Sequence, residues 1–231
     1  VYDFRIDRIN RPNKTVVNAV LSVKKVLTFY FICTFGILVF SVGYMGFYLH
    51  RYNICFINIL SAFLLFLYAS RLKRIGVAGN LTIAFLIALV LILAYYLYDD
   101  LTLSLFWATI FAFEITLIRE ITKDVEDIRG DLEYRLRTLP IQVGVRSTKR
   151  ILGVLYVVFM VSVYMPFFIP FPNEPQEINW PYLLISLILV QLPAIYLIIK
   201  LQGATKPLEF GKMSRYLKYL MLGGMLTLFW L

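Results

Sequence analysis

The residues best equipped for chemistry form one polar stretch in a greasy chain, Arg119-Glu-Ile-Thr-Lys-Asp-Val-Glu-Asp-Ile-Arg-Gly-Asp131, running on to Thr138-Leu-Pro-Ile141. Asp124, Asp127 and Asp131 recur at i, i+3 and i+7, which on a helix sets their carboxylates in one stripe together with Glu120. Four acids on one face repel one another unless positive charge lies between them. Such an oxygen-rich cluster suits a hard cation such as Mg2+. An acidic run alone is equally what a helix end leaving a membrane looks like, so the rest of the chain has to decide. A second acidic pair stands near the start, in Asp3-Phe-Arg-Ile-Asp7-Arg-Ile-Asn-Arg11-Pro12-Asn-Lys14. Asp3 and Asp7 share a helix face at i, i+4, and Pro12 ends or turns that helix. Two acidic clusters facing each other across a bundle would hold two divalent ions and clamp a pyrophosphate between them. Arg11, Lys14, Lys73, Arg74 and Arg137 could add charge-assisted bonds to its oxygens. Loss of pyrophosphate from an allylic lipid leaves a carbocation, which needs a dry pocket with electron-rich faces. Tyr68 and Tyr134 lie next to the polar loops and are the aromatic candidates.

These residues have to be positioned by membrane-spanning helices. The chain of 231 residues is 60% hydrophobic, and its mean hydropathy is +0.76, which excludes an ordinary soluble domain. Seven apolar segments are long enough to cross a bilayer, at 27–48, 53–70, 80–98, 102–119, 151–169, 181–199 and 214–231. Runs of that length mean helices, so the fold class is an all-α, multi-pass transmembrane bundle forming a single domain over 1–231. The Pro-rich stretch 170–180 is a loop. Residues 15–26 are amphipathic enough to lie at the interface. Of 23 Lys and Arg residues, only Arg51 falls in the loops at 49–52, 99–101 and 170–180. By the positive-inside rule the other loops are cytoplasmic, and so are both acidic clusters. The net charge of +9 is then explained by loops beside anionic lipid, not by nucleic acid. Cys33 and Cys55 lie in apolar runs without paired spacing and read as buried small residues.

With the motifs laid out, a resemblance emerges. Asp3-x-x-x-Asp7 with Asn10-Arg-Pro12 resembles the end of the first aspartate-rich motif of the UbiA family of membrane prenyltransferases. Asp124-x-x-Asp127-x-x-x-Asp131, with Thr138-Leu-Pro140 and Gly144, resembles the second, and Tyr68-x-x-x-Leu72-Lys73-Arg74 with Gly79-Asn80 is similar to the middle cytoplasmic motif. The resemblance implies a nine-helix bundle in the cell membrane with its active site facing the cytoplasm. It implies Mg2+-dependent transfer of a polyprenyl group from its diphosphate to a hydrophobic acceptor. Asp3, Asp7, Asp124, Asp127 and Asp131 become the metal-binding and catalytic set, and Asn80 and Lys123 join Arg11, Lys14, Lys73, Arg74 and Arg137 around the diphosphate. The Leu-Lys-Arg and Arg-Glu-Ile-x-Lys-Asp wording is most similar to the geranylgeranylglycerol-phosphate geranylgeranyltransferase branch. A quinone-type aromatic acceptor is the alternative. A transporter or a non-catalytic lipid-binding protein is the alternative from another class, although a transporter would place its charges near mid-membrane. Acceptor, prenyl length and oligomeric state stay open. Two departures stand out. The chain begins after the Asn-Asp that opens the family's first motif, so an N-terminally truncated fragment with seven of the nine helices is expected. Arg135 occupies a place where many relatives carry a small residue, usually Gly.

Other polar residues have plainer expectations. His50 reads as a surface residue of an outer loop, and Glu114, inside a span, as a catalytic candidate or a buried polar pair. Gln191-Leu-Pro193 should kink its helix, and Gly36, Gly43, Gly46, Gly223 and Gly224 should allow close helix contact.

Overall fold

The computed structural model describes residues 6, 9–10, 21–98, 102–168 and 179–230. Seven long helices and one short one make up these residues. They are α1 (Val23–Tyr48), α2 (Tyr52–Ser70), α3 (Gly76–Tyr98), α4 (Leu103–Glu126), α5 (Ile128–Glu133), α6 (Leu139–Ser162), α7 (Trp180–Gly203) and α8 (Pro207–Thr227). No strand occurs among the described residues. Each of the seven expected spans coincides with a long helix, but the helices run further than the apolar windows at the basic end of the bundle. α4 continues to Glu126, α6 starts at Leu139 and α8 at Pro207. Hydropathy locates only the lipid-embedded portion, whereas backbone hydrogen bonding continues until a cap or proline stops it. Five of the helices, α1, α2, α3, α6 and α7, contain a stretch long and apolar enough to cross a membrane. α4 and α8 are long enough but carry polar ends.

α4 is the central element, packing on α3, α6 and α8. Ile115, Ile118, Ile121 and Val125 recur on one face and bury against Leu152, Tyr156 and Phe159 of α6, Leu197 of α7 and Phe210, Met213 and Leu217 of α8. α2 and α3 share a smaller cluster of Ile57, Leu86 and Leu89. The outward faces are apolar, as lipid contact requires; Phe29, Phe35, Phe47, Phe56 and Val90 are all exposed. Cys33 sits on this outer surface, so the expectation that it is buried is corrected. Hydropathy cannot tell a lipid-facing side from an inner one, because both are apolar. Both cysteines are free thiols.

The kink expected at Pro193 takes the form of a π-helical segment, Leu187–Gln191, just before it. The widened turn accommodates the missing proline N–H, and the Gln191 amide donates to the Met160 carbonyl on α6 at 2.9 Å. Gly223 lies so close to the same segment that a Cβ would stand 2.8 Å from the Leu189 carbonyl. Gly36, Gly43 and Gly224 have no neighbour within 4 Å, so they do not mediate helix contacts among the described residues.

Candidate active site

The polar loops converge at the basic end of the bundle. After α2, a 3-10 turn at Leu72–Arg74 folds back over the start of α3. Gly79 makes this possible, since a Cβ there would meet the Leu72 carbonyl at 2.9 Å and the Lys73 Cα at 3.0 Å. The loop is then laced to the segment after α5. The Gly76 N–H donates to the Arg137 carbonyl at 2.5 Å, and the Arg137 N–H donates to the Arg74 carbonyl at 3.2 Å. Two loops some sixty residues apart in sequence, carrying Lys73, Arg74 and Arg137, are thereby fixed side by side. Lys73 is half-buried, whereas Arg71, Arg74 and Arg137 are exposed. The turn into this junction places Arg135 at φ 54°, in the left-handed region. That conformation is easy for glycine and costs other residues about 1 kcal/mol.

Asp124 lies in the last turn of α4, half-buried, and accepts a hydrogen bond from Asn80 Nδ2 of α3 at 2.8 Å. Asn80 therefore positions a carboxylate, a more specific contact than the diphosphate-binding role expected of it. Burial pushes the Asp124 carboxyl up to about 7, with the Asn80 bond acting against this. The charges of Asp131 and Glu120 raise it further, and Lys123 lowers it. Glu120 is buried and ion-paired to Arg119 at 2.5 Å. The helix does not run straight through the acidic stretch: α4 stops at Glu126, and Asp127 adopts φ −88°, ψ 5° before α5 begins. Even so, Asp131, on α5 and only 5% exposed, stays close enough to act on Asp124. Asp127 is half-buried between them in the chain.

Asp3, Asp7, Arg11 and Lys14 lie outside the described residues, whereas Asn10 of the same motif is described. Its Nδ2 donates to the Asp127 carbonyl at 3.1 Å, and its Oδ1 accepts from the Gly130 N–H at 2.9 Å. A Cβ on Gly130 would stand 2.6–2.8 Å from the Asn10 amide. Asn10 thus bonds directly to the second motif. No local sequence signal could have shown this, since the partners are more than a hundred residues apart. Of the other candidates, Tyr68 is half-buried and Tyr134 exposed. Glu114 accepts from Ser162 Oγ at 2.5 Å, the buried-pair alternative. His50 is exposed beside Tyr52.

Among the described residues no three His, Cys, Asp or Glu side chains are grouped to hold a metal ion. The donors of the second motif nevertheless fit Mg2+ in kind. They are carboxylate oxygens without sulfur or imidazole, and Asp124 is a buried carboxylate facing two like charges, an arrangement a cation would compensate.

This fold and site define a multi-pass, all-helical membrane protein with an acidic cluster and basic loops gathered at one end. A model of the UbiA prenyltransferase family matches residues 1–217, and the chain belongs to that family. It is a prenyltransferase. The chain is 34% identical over 221 residues to the digeranylgeranylglyceryl phosphate synthase of Saccharolobus solfataricus, covering 93% of this chain and 73% of that protein. It is 30% identical over 222 residues to the synthase of the same name from Methanococcus maripaludis, covering 94% and 73%. A solved structure described as giving "structural and mechanistic insights into the biosynthesis of Digeranylgeranylglyceryl phosphate synthase in membranes" shares the fold, with a TM-score of 0.68 at 23% identity over 98% of this chain and 76% of that one.

The basic loop provides a first test. Lys73→Ala should raise the KM for prenyl diphosphate about tenfold, the worth of one lost charge-assisted bond, and Arg71→Ala should change it less than twofold. Equal effects would reduce Lys73 to a lipid-facing charge.

Proposed function

We propose that the chain transfers a geranylgeranyl group from its diphosphate to geranylgeranylglycerol phosphate, in the cell membrane and with the site facing the cytoplasm. The observation that carries this is the Asn80–Asp124 pair beside Asp131, with the Lys73 and Arg137 loops laced together at the start of α3, in a chain similar over most of its length to proteins named for that product. Asp124, Asp127 and Asp131, with Asp3 and Asp7, would hold Mg2+, which supplies positive charge to the departing diphosphate. Lys73, with Arg74, Arg137, Arg11, Lys14 and Lys123, orients the diphosphate oxygens. Asn80 holds the Asp124 carboxylate in place, and the apolar bundle keeps water from the allylic cation. Its C1 forms the new C–O bond with the acceptor hydroxyl, whose proton is released.

The experiment is thin-layer analysis of products from labelled geranylgeranyl diphosphate with a panel of acceptors. A single labelled product with geranylgeranylglycerol phosphate, lost in EDTA and restored by Mg2+, is expected. Product with a quinone-type aromatic acceptor, or full turnover in excess chelator, would overturn the reading. Orientation is checked separately. Single cysteines at Lys73 and Lys206 should react with an impermeant thiol reagent only from the cytoplasmic side, and one at His50 only from the other.

A further inference from the structure

Away from the acidic cluster, α7 and α8 enclose a groove of 540 Å³, with a smaller hollow of 360 Å³ continuing it along α8. Lys200, Lys212 and Arg215 supply its charge, and Tyr196, Tyr216 and Tyr219 its walls. The walls are connected: Lys200 stands 5.5 Å over the Tyr196 ring, Tyr196 meets Tyr216 edge-on at 6.1 Å, and Tyr216 meets Tyr219 at 6.5 Å. None of the three cations is ion-paired among the described residues. Glu209 also reaches the rim, but its carboxylate accepts from the Thr205 and Lys206 N–H groups at 2.7 and 2.8 Å. It is committed to closing the start of α8.

Two features say what kind of molecule belongs here. The groove runs directly into an exposed apolar surface, Leu192, Ile195 and Ile199 on α7 and Leu222 and Met225 on α8. A ligand with a charged head and hydrocarbon tails matches that continuity, and a free anion does not. The groove also shares no lining residue with the acidic cluster. At Gly211, one residue before Lys212, α8 comes so close to α4 that a Cβ would stand 2.6 Å from Glu126 Oε1.

We propose that this groove is a binding site for the anionic phosphate headgroup of a membrane lipid, separate from the prenyl-transfer site. Lys200, Lys212 and Arg215 hold the phosphate oxygens, and the tyrosines sit at headgroup depth, where an amphipathic ring is stable. The acyl or isoprenoid chains lie along the apolar faces of α7 and α8.

The test needs no turnover, so it stands apart from the proposed reaction. The purified chain is offered equal amounts of phosphatidylglycerol and phosphatidylcholine in detergent and read by native mass spectrometry. Phosphatidylglycerol should be retained preferentially. Lys200→Gln/Lys212→Gln/Arg215→Gln should lower that preference at least tenfold, since each cation near a membrane surface is worth roughly fivefold. Lys24→Gln/Arg146→Gln/Arg150→Gln, which removes the same charge elsewhere, should keep it. Loss of preference in both triple variants would show diffuse attraction and overturn the site. So would complete displacement of the lipid by inorganic phosphate. In the unaltered chain, a phosphatidylglycerol bearing a photoreactive group in its headgroup should label residues 196–219; labelling confined to other segments would also overturn the proposal.

Discussion

Asp124→Asn should lower prenyl transfer at least about hundredfold, because a metal ligand contributes several kcal/mol to stabilising the leaving group. The same variant should be as stable as the parent chain, or more so. The argument is one of sign. Burial raises the Asp124 carboxyl to about 7 in the folded chain, and Asp131 and Glu120 repel its charge. In chelator at pH 8 the group is ionised, and the folded state bears the cost of that buried charge. An amide keeps the shape and removes the charge. The side chain of Asn80, which donates to Asp124 at 2.8 Å, can still donate to the new carbonyl. A residue kept for structure would show the reverse, with stability and activity falling together. The measurement pairs thermal unfolding in EDTA with turnover in Mg2+. A lower melting temperature with activity within about threefold of the parent would make Asp124 a structural residue and remove it from the metal-binding set. Mg2+ should stabilise the parent chain by binding the folded state, and the variant markedly less.

Much of the architecture could be read because lipid leaves few options. A backbone in hydrocarbon must satisfy its own hydrogen bonds, so an apolar run of that length has to be a helix. The sidedness of the basic residues then placed the acidic motif and the Lys73 loop at one end, where the structure brings them together. The break at Asp127 was not legible. The run from Lys123 to Glu133 has no proline, and its single glycine falls three residues after the break. Helix propensity therefore carries the pattern through a point where tertiary contacts end the helix. The lacing of Arg74 and Gly76 to Arg137 was equally hidden, since it uses backbone atoms that any residue supplies. Arg135 is the intermediate case. Its departure from the family pattern was visible, but the reason, a left-handed backbone, appears only in the fold. Asn80 was recognised as part of a motif, but its partner was not. A hydrogen bond across 44 residues leaves no trace in a single sequence.

The strongest hidden contact yields the last expected result. Gly130→Ala and Asn10→Ala should each lower kcat/KM about thirtyfold, and the double variant should be no worse than either alone. Asn10 makes two hydrogen bonds to the turn between α4 and α5, one to the Asp127 carbonyl and one from the Gly130 N–H. Each is worth about 1 kcal/mol, so losing both corresponds to a factor of roughly thirty if they set the geometry of the acidic cluster. A methyl group on Gly130 would lie 2.6–2.8 Å from the Asn10 amide, too close for any real contact. The Asn10 side chain must leave, and both bonds go with it. In the Asn10→Ala background the obstructed amide is absent, so the extra methyl has nothing left to displace. Coupling of this kind is what a double-mutant cycle isolates. A merely destabilising Gly130→Ala would act in both backgrounds and give multiplicative losses, and that outcome would sink the idea that Asn10 locks the two motifs together. The concentration of Mg2+ giving half-maximal activity should rise in both single variants, because Asn10 bonds the turn that carries Asp127 and leads to Asp131.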